Sequence, residues 1–332
     1  MNHTCSQAPS RTIQKDAVVF VVLRKGSGRN IVSQFSVLAQ DVNLNVLEIG
    51  NKQGQPVICL HGLRDTAQAL IPVFTQSWQD LPYRILLPEL RGHGTSEESS
   101  AYAMPNFLMD LLAVINHIDA KQVALIGHSL GGHVVTKFAA LWPERVCALV
   151  NIEGLGPPQG SLERDERGEI QAYRQMMERR LTSRSAQPMT NLKEALRRLQ
   201  KNNPRLNPEE AERLITHLTR SAANGQGVTW AFDSTASSVF IGSSTETNQK
   251  FWRQIQAPVC LISGALSFEY WRQQMNADRD TGIFAQGELE YRAQQFKHHE
   301  HHRFEQSGHM VHYDEPLQLG RVCRAFLEKH YV

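Results

Sequence analysis

Gly127-His128-Ser129-Leu130-Gly131 sets a serine between two glycines at the point where an apolar run ends. A serine hydroxyl is a weak nucleophile unless the backbone exposes it and a base takes its proton. The residues on either side supply the first condition. Gln122 to Ile126 reads as a short buried strand, and Val134, Val135, Phe138, Ala139 and Leu141 recur at helical spacing until Pro143 stops them. A serine in the tight turn between such a strand and helix is held in a strained backbone conformation with its hydroxyl above the sheet. Glycines at the flanks let the two elements approach without Cβ clashes. The bland alternative is a glycine-rich turn with an incidental serine.

The second condition needs a histidine on a loop near the end of the chain. Ser307-Gly308-His309-Met310-Val311-His312 offers two. His309 follows a glycine that permits a tight loop and precedes a helix that anchors it, which favours it as the base. His312 is the competitor, leading through Tyr313, Asp314 and Glu315 into Pro316. Acyl transfer also needs donors for a developing oxyanion. The Leu130 N–H, next after the nucleophile, is one candidate. The Leu63 N–H, in the loop His61-Gly62-Leu63-Arg64-Asp65, is the other. Chemistry of this kind needs no cofactor.

These groups must be carried by a scaffold of alternating strands and helices. Pro56 to Leu60, Arg84 to Leu87, Gln122 to Ile126, Val146 to Ile152 and Pro258 to Ser263 read as strands. Met104, Phe107, Leu108, Leu111, Leu112, Ile115 and Ile118 form one apolar helical face, and Leu319, Val322, Cys323, Phe326 and Leu327 another. Such alternation predicts right-handed βαβ units and an α/β fold with a mainly parallel sheet. Val18 to Leu23 and Asn43 to Ile49 are expected to add antiparallel strands at one edge. The alternation breaks after Glu153. From 155 to 254 the chain is polar, Arg-rich and helical in pattern, with Asn207-Pro208-Glu209-Glu210 as a helix start. This block reads as a helical cap inserted into a core of residues 17–154 and 255–332, with 1–16 a polar extension.

The rest of the composition narrows the function classes. A chain of 332 residues with net charge +2 gives no reason to expect a nucleic-acid or anionic-membrane partner. Its longest early apolar run, Val18 to Leu23, is too short to span a bilayer. Five cysteines without CxxC spacing, three of them in strand-like apolar runs, suggest reduced thiols in a cytoplasmic protein. His298, His299, Glu300, His301 and His302 invite a metal reading. They fall where the last strand should run, however, and consecutive strand residues point to opposite faces, so no metal site is expected. Trp230, Phe232, Phe240, Phe251 and Trp252 either line a pocket beneath the cap or pack the cap onto the body.

Four motifs in order now carry a resemblance: His61-Gly62, the turn Arg91-Gly92-His93-Gly94-Thr95-Ser96, the Gly-His-Ser-Leu-Gly-Gly elbow and Gly308-His309. From about Val18 to the C-terminus the chain resembles α/β-hydrolase-fold proteins. The resemblance implies an eight-stranded, mostly parallel sheet flanked by helices, a Ser–acid–His mechanism and a cap over the pocket. In most members the acid is an aspartate in a Gly-x-x-Asp pattern after the strand that follows the cap. Here that stretch is Gly264-Ala265-Leu266-Ser267, with Glu269 two residues on. The family's other acid position, at the end of the strand before the cap, is occupied by Glu153, 24 residues after Ser129. The expected triad is therefore Ser129, His309 and Glu153, with Glu269 as the alternative acid. The expected function is hydrolysis of a small-molecule carboxylic ester. A thioesterase or lyase on the same fold, or a non-catalytic ligand receptor, are the competing readings. The acyl chain, the alcohol and the oligomeric state are not written in the sequence.

Overall fold

Parallel strands buried on both faces read as continuous apolar runs, and the centre of this chain is built from them. In the computed structural model, residues 19–22, 31–75, 78, 82–158, 170–171, 173–175, 177–178, 188–275 and 282–331 are described. Among these, one sheet holds nine strands: β1 (Val19–Val22), β2 (Ile31–Ala39), β3 (Val42–Gly50), β4 (Gln55–Leu60), β5 (Tyr83–Pro88), β6 (Val123–His128), β7 (Val146–Ile152), β10 (Val259–Gly264) and β11 (His299–Phe304). Their spatial order is β1-β2-β3-β5-β4-β6-β7-β10-β11. β5, β4, β6, β7, β10 and β11 pair in parallel, while β1, β2 and β3 join antiparallel at one edge. β2 to β11 make the eight-stranded frame, and β1 adds a ninth strand outside it. The short hairpin β8 (Thr219–Ser221) and β9 (Val228–Trp230) is separate.

Helices cover both faces of this sheet. On one side Phe107, Leu111 and Ile115 of helix Met104–His117 join Val134, Val135 and Phe138 of helix Leu130–Leu141 over Leu125 and Leu149. On the other, Leu319, Cys323, Phe326 and Leu327 of helix Pro316–His330 lie over Ile126, Val150 and Ile262. The strands expected from sequence are found, displaced by at most two residues at their ends. The polar run at 299–304 does form the last strand, paired with β10. The N-terminal extension 1–16 and Cys5 lie outside the described residues, as does most of the Arg-rich stretch 159–187. Cys59, Cys147, Cys260 and Cys323 are free thiols. No helix among the described residues is long and apolar enough to cross a membrane.

Between β7 and β10 the chain forms helices Leu192–Asn202, Pro208–Leu218 and Thr245–Trp252. Asn207 caps the second, accepting from the Glu209 and Glu210 N–H groups as its sequence predicts. Ala195, Leu199, Leu206, Leu214 and Leu218 form a small apolar cluster of their own. Ala69 and Tyr313 complete it, from the segments after β4 and after β11. The aromatic residues of this segment divide. Trp252 is buried in the main core and stacks on Phe296. Phe232 lies beside His93, and Phe240 stands edge-on to His133, whose N–H bonds the Ser129 carbonyl.

Candidate active site

Ser129 sits between β6 and the helix that begins at Leu130, with φ 51° and ψ −113°. That left-handed φ is costly for a residue with a side chain and persists only where the surroundings over-determine it. Here they do: the Ser129 N–H donates to the Ile152 carbonyl of β7 at 2.9 Å, and a Cβ on Gly131 would lie 2.3 Å from the Leu60 carbonyl oxygen. Helix and β4 therefore meet at a distance only glycine permits. Among the described residues five non-glycines have positive φ, and three of them, Arg64, Ser129 and Glu153, belong to the segments assembled here.

The structure brings Ser129, His309 and Glu153 into one hydrogen-bonded chain. Ser129 Oγ lies 3.0 Å from His309 Nε2, and His309 Nδ1 lies 2.9 Å from Glu153 Oε2. A carboxylate only accepts, so Nδ1 carries the proton and Nε2 presents its lone pair to the serine hydroxyl. That is the tautomer a general base needs. The other carboxylate oxygen, Glu153 Oε1, accepts the Gly264 N–H at 2.7 Å. The Glu153 N–H in turn donates to the Ile262 carbonyl at 2.8 Å. The end of β10 thus orients an acid that β7 supplies. Ser267, where the family pattern has its aspartate, is buried, and among the described residues its hydroxyl has no partner.

Glu269 is placed elsewhere. Its Oε2 is 2.9 Å from Arg205 Nη1, and its side chain is 46% exposed. His312 also lies apart from the serine. Its Nε2 donates to Asp65 Oδ2 at 2.8 Å, and Tyr313 Oη donates to Asp65 Oδ1 at 2.8 Å. Burial pushes the Asp65 carboxyl up, but the hydrogen bond and charge of His312 outweigh it and hold the group at about 2. This pairing ties the loop of Leu63 to the loop of His309. His128 adds a second tie, donating from Nε2 to the His309 carbonyl at 2.9 Å.

The loop that carries Leu63 is braced by the turn Arg91–Ser96 through two neutral imidazoles. The Leu90 N–H donates to His61 Nε2 at 3.0 Å, and the Arg64 N–H donates to His93 Nε2 at 3.0 Å. Each ring's Nδ1 faces a carbonyl, that of Gly62 for His61 and of Arg91 for His93. Only an unprotonated ring can accept in this way. Burial enforces that state, lowering both rings and taking His93 to about 4. Leu130 opens its helix, so its N–H is among the donors that have no intrahelical partner. The Leu63 and Leu130 N–H groups lie on the two segments that flank the serine.

Two residues absent from the sequence reading complete the site. Tyr270 stacks on His309 with ring centroids 3.9 Å apart and planes 13° from parallel, and Trp271 meets the same ring edge-on at 5.3 Å. Both belong to helix Phe268–Met275, immediately after the position where the family aspartate would stand. The aromatic run Phe268-Glu269-Tyr270-Trp271 was the available signal. Among the described residues, potential metal ligands also approach one another in two places: Asp65, His128 and His312, and Cys260, Glu300 and His302. In each the carboxylate is already engaged, Asp65 by His312 and Tyr313, Glu300 by His302 and Lys329. The second set arises because Glu300 and His302, two apart on β11, share a face.

This sheet order, with a strained serine at the β6 turn and a histidine after the last strand, defines the alpha/beta hydrolase class. A family model for the alpha/beta hydrolase fold matches residues 55–316, and the chain belongs to that family. Among proteins of similar sequence, serine hydrolase-like protein 2 of Homo sapiens is 29% identical over 295 residues, 84% of this chain and 88% of that protein. Two solved structures share the fold. A thioesterase domain from the curacin biosynthetic pathway has a TM-score of 0.71 at 19% identity, covering 88% of this chain and 98% of its own. An M. tuberculosis esterase has a TM-score of 0.67 at 21% identity, covering 90% and 92%. Together the family and its serine hydrolase-like relative support a hydrolase.

Proposed function

We propose that the protein is a carboxylic ester hydrolase working through an acyl-enzyme. The observation that carries this reading is the continuous chain from Ser129 Oγ through His309 to Glu153. Ser129 attacks the ester carbonyl carbon while His309 Nε2 takes the hydroxyl proton. Glu153 stabilises the imidazolium that forms. The Leu63 and Leu130 N–H groups receive the oxyanion of the tetrahedral intermediate. His309 then protonates the departing alcohol and deprotonates the water that cleaves the acyl-enzyme. The esterase among the fold neighbours is consistent with this assignment. The free thiols support a cytoplasmic setting.

Within 155–254, helices Leu192–Asn202, Pro208–Leu218 and Thr245–Trp252 act as a cap over the Ser129 side of the sheet, where ligands of open α/β folds bind. Phe232 and Phe240 then form part of the wall that meets the acyl chain. A panel of nitrophenyl esters from acetate to palmitate, run alongside fluorophosphonate labelling of Ser129, tests the function. Turnover of some members together with labelling is the expected result, and labelling without turnover of any ester would reject the ester assignment. On that panel Phe240→Ala is expected to change the ratio of long- to short-chain kcat/KM by about tenfold, the scale of one or two methylenes in an apolar pocket. An unchanged ratio would remove Phe240 from the wall.

A further inference from the structure

Arg205 lies between helices Leu192–Asn202 and Pro208–Leu218, far in sequence from every residue of the triad, yet its guanidinium reaches both sides of the histidine loop. Its Nε donates to Asp314 Oδ2 at 3.0 Å. The same oxygen accepts the N–H of Gly308, next to His309, at 2.8 Å. Its Nη1 pairs with Glu269 Oε2 at 2.9 Å. Glu269 precedes Tyr270, the ring that stacks on the His309 imidazole. The third nitrogen, Nη2, covers Gly308 so closely that a Cβ there would lie 2.4 Å away. One cation thus touches the backbone before His309 and, through Glu269, the helix that carries the plate over its ring.

Packing fixes where this cation sits. Leu206, the next residue, is buried in the apolar cluster that also holds Tyr313. The same segment therefore docks on helix Val311–Asp314 through both apolar and ionic contacts. The Asp314 carboxylate is 4% exposed and the Arg205 side chain 30%, so the pair is only partly screened by solvent.

We propose that Arg205 is a positioning residue for His309, through which seating of residues 192–218 sets the reach of the imidazole toward Ser129. The inference rests on the reading of His309 as the base for Ser129 but requires no particular ester. Asp314 still accepts the Gly308 N–H when the guanidinium is removed, so its carboxylate keeps a donor. Misplacement of a catalytic group by about 1 Å can cost about a hundredfold in rate. Arg205 is therefore expected to matter to kcat more than to folding.

The test is the rate at which a fluorophosphonate labels Ser129, with thermal unfolding measured in parallel. Arg205→Met is expected to slow labelling by about tenfold, and Arg205→Lys to recover most of it. On nitrophenyl acetate the methionine variant is expected to lose kcat with KM nearly unchanged. Raising salt from about 0.05 to about 1 M should slow the wild type toward the methionine variant, which itself should not respond. Wild-type labelling by a folded Arg205→Met protein, or a lysine variant no better than methionine, would overturn the proposal. If Arg205→Met does not fold, Glu269→Gln cuts one arm alone, and slower labelling with an unchanged melting temperature is then expected. Wild-type labelling by that variant would equally overturn the proposal. A wild type that is not labelled at all instead overturns the reading of Ser129 and His309, and the role of Arg205 with it.

Discussion

Ser129→Ala is expected to lower kcat on a short nitrophenyl ester by about five to six orders of magnitude, with the fold intact. Removing the nucleophile or the base of a triad that acts as a unit costs that much, and what remains comes from the oxyanion donors and binding alone. The same loss is expected for His309→Ala, because its Nε2 is the acceptor 3.0 Å from Ser129 Oγ. The double variant should be no worse than either single one, since each already disables the same proton transfer. Ser129→Ala is also expected to relieve little strain, as alanine must adopt the same φ of 51° in the turn. Far-ultraviolet dichroism and melting should therefore match the wild type closely. His312→Asn is the control for the rival histidine. It breaks the bond to Asp65 but leaves the Ser129–His309 pair in place, so its cost should stay below about a hundredfold. If His312→Asn proved the more damaging change, the base would be misassigned. If folded Ser129→Ala kept wild-type turnover, the covalent mechanism would fail.

Why Ser129 and His309 were legible in the sequence while their surroundings were not has a physical reason. β4, β5, β6, β7 and β10 lie inside the sheet, so burial on both faces writes most of each as an apolar run. The elbow adds glycines that close backbone contact makes obligatory, as at Gly131 against Leu60. Such signals are local. β2, near the sheet edge, mixes buried Val37 with exposed Leu38 and Gln34 with Phe35, so neither period stands out, and the sequence reading does not single it out. β11 is almost wholly polar and was legible only from its place in the order of elements. The contacts of His309 are harder still. Tyr270 and Arg205 are 39 and 104 residues away in sequence, and periodicity carries no information about which side chains meet across such spans. The braces between His61, His93 and the backbone of Leu90 and Arg64 are of the same kind. The motifs they belong to were visible, but not that each imidazole accepts an N–H from the other's segment.

The acid is where sequence and geometry together make the sharpest expectation. Serine at position 267 cannot supply the charge that stabilises an imidazolium, and Glu153 lies one strand over. Glutamate has one methylene more than aspartate, a reach that suits its position just after β7, where Oε2 comes to 2.9 Å from His309 Nδ1. The carboxylate is held from its other side by the Gly264 N–H at 2.7 Å, so it is oriented before any substrate binds. Glu153→Gln keeps the shape but offers an amide whose NH2 can face Nδ1. That favours the tautomer with its proton on Nε2, the wrong one for a base, and removes the charge. The expected loss in kcat is about three to four orders of magnitude, as when the orienting carboxylate of a serine triad becomes an amide. Glu269→Gln is expected to cost less than about tenfold, because that side chain pairs with Arg205 and touches His309 only through the helix that carries Tyr270. Both variants, measured on one short-chain ester at neutral pH, decide between the two carboxylates. A Glu269→Gln loss larger than that of Glu153→Gln would move the acid to β10, and with it the meaning of the bond from Gly264. The two losses are also expected to add in the double variant if Glu269 acts only through Arg205. A shortfall from additivity would mean that the Arg205 latch and the Glu153 carboxylate hold the same degree of freedom of the imidazole.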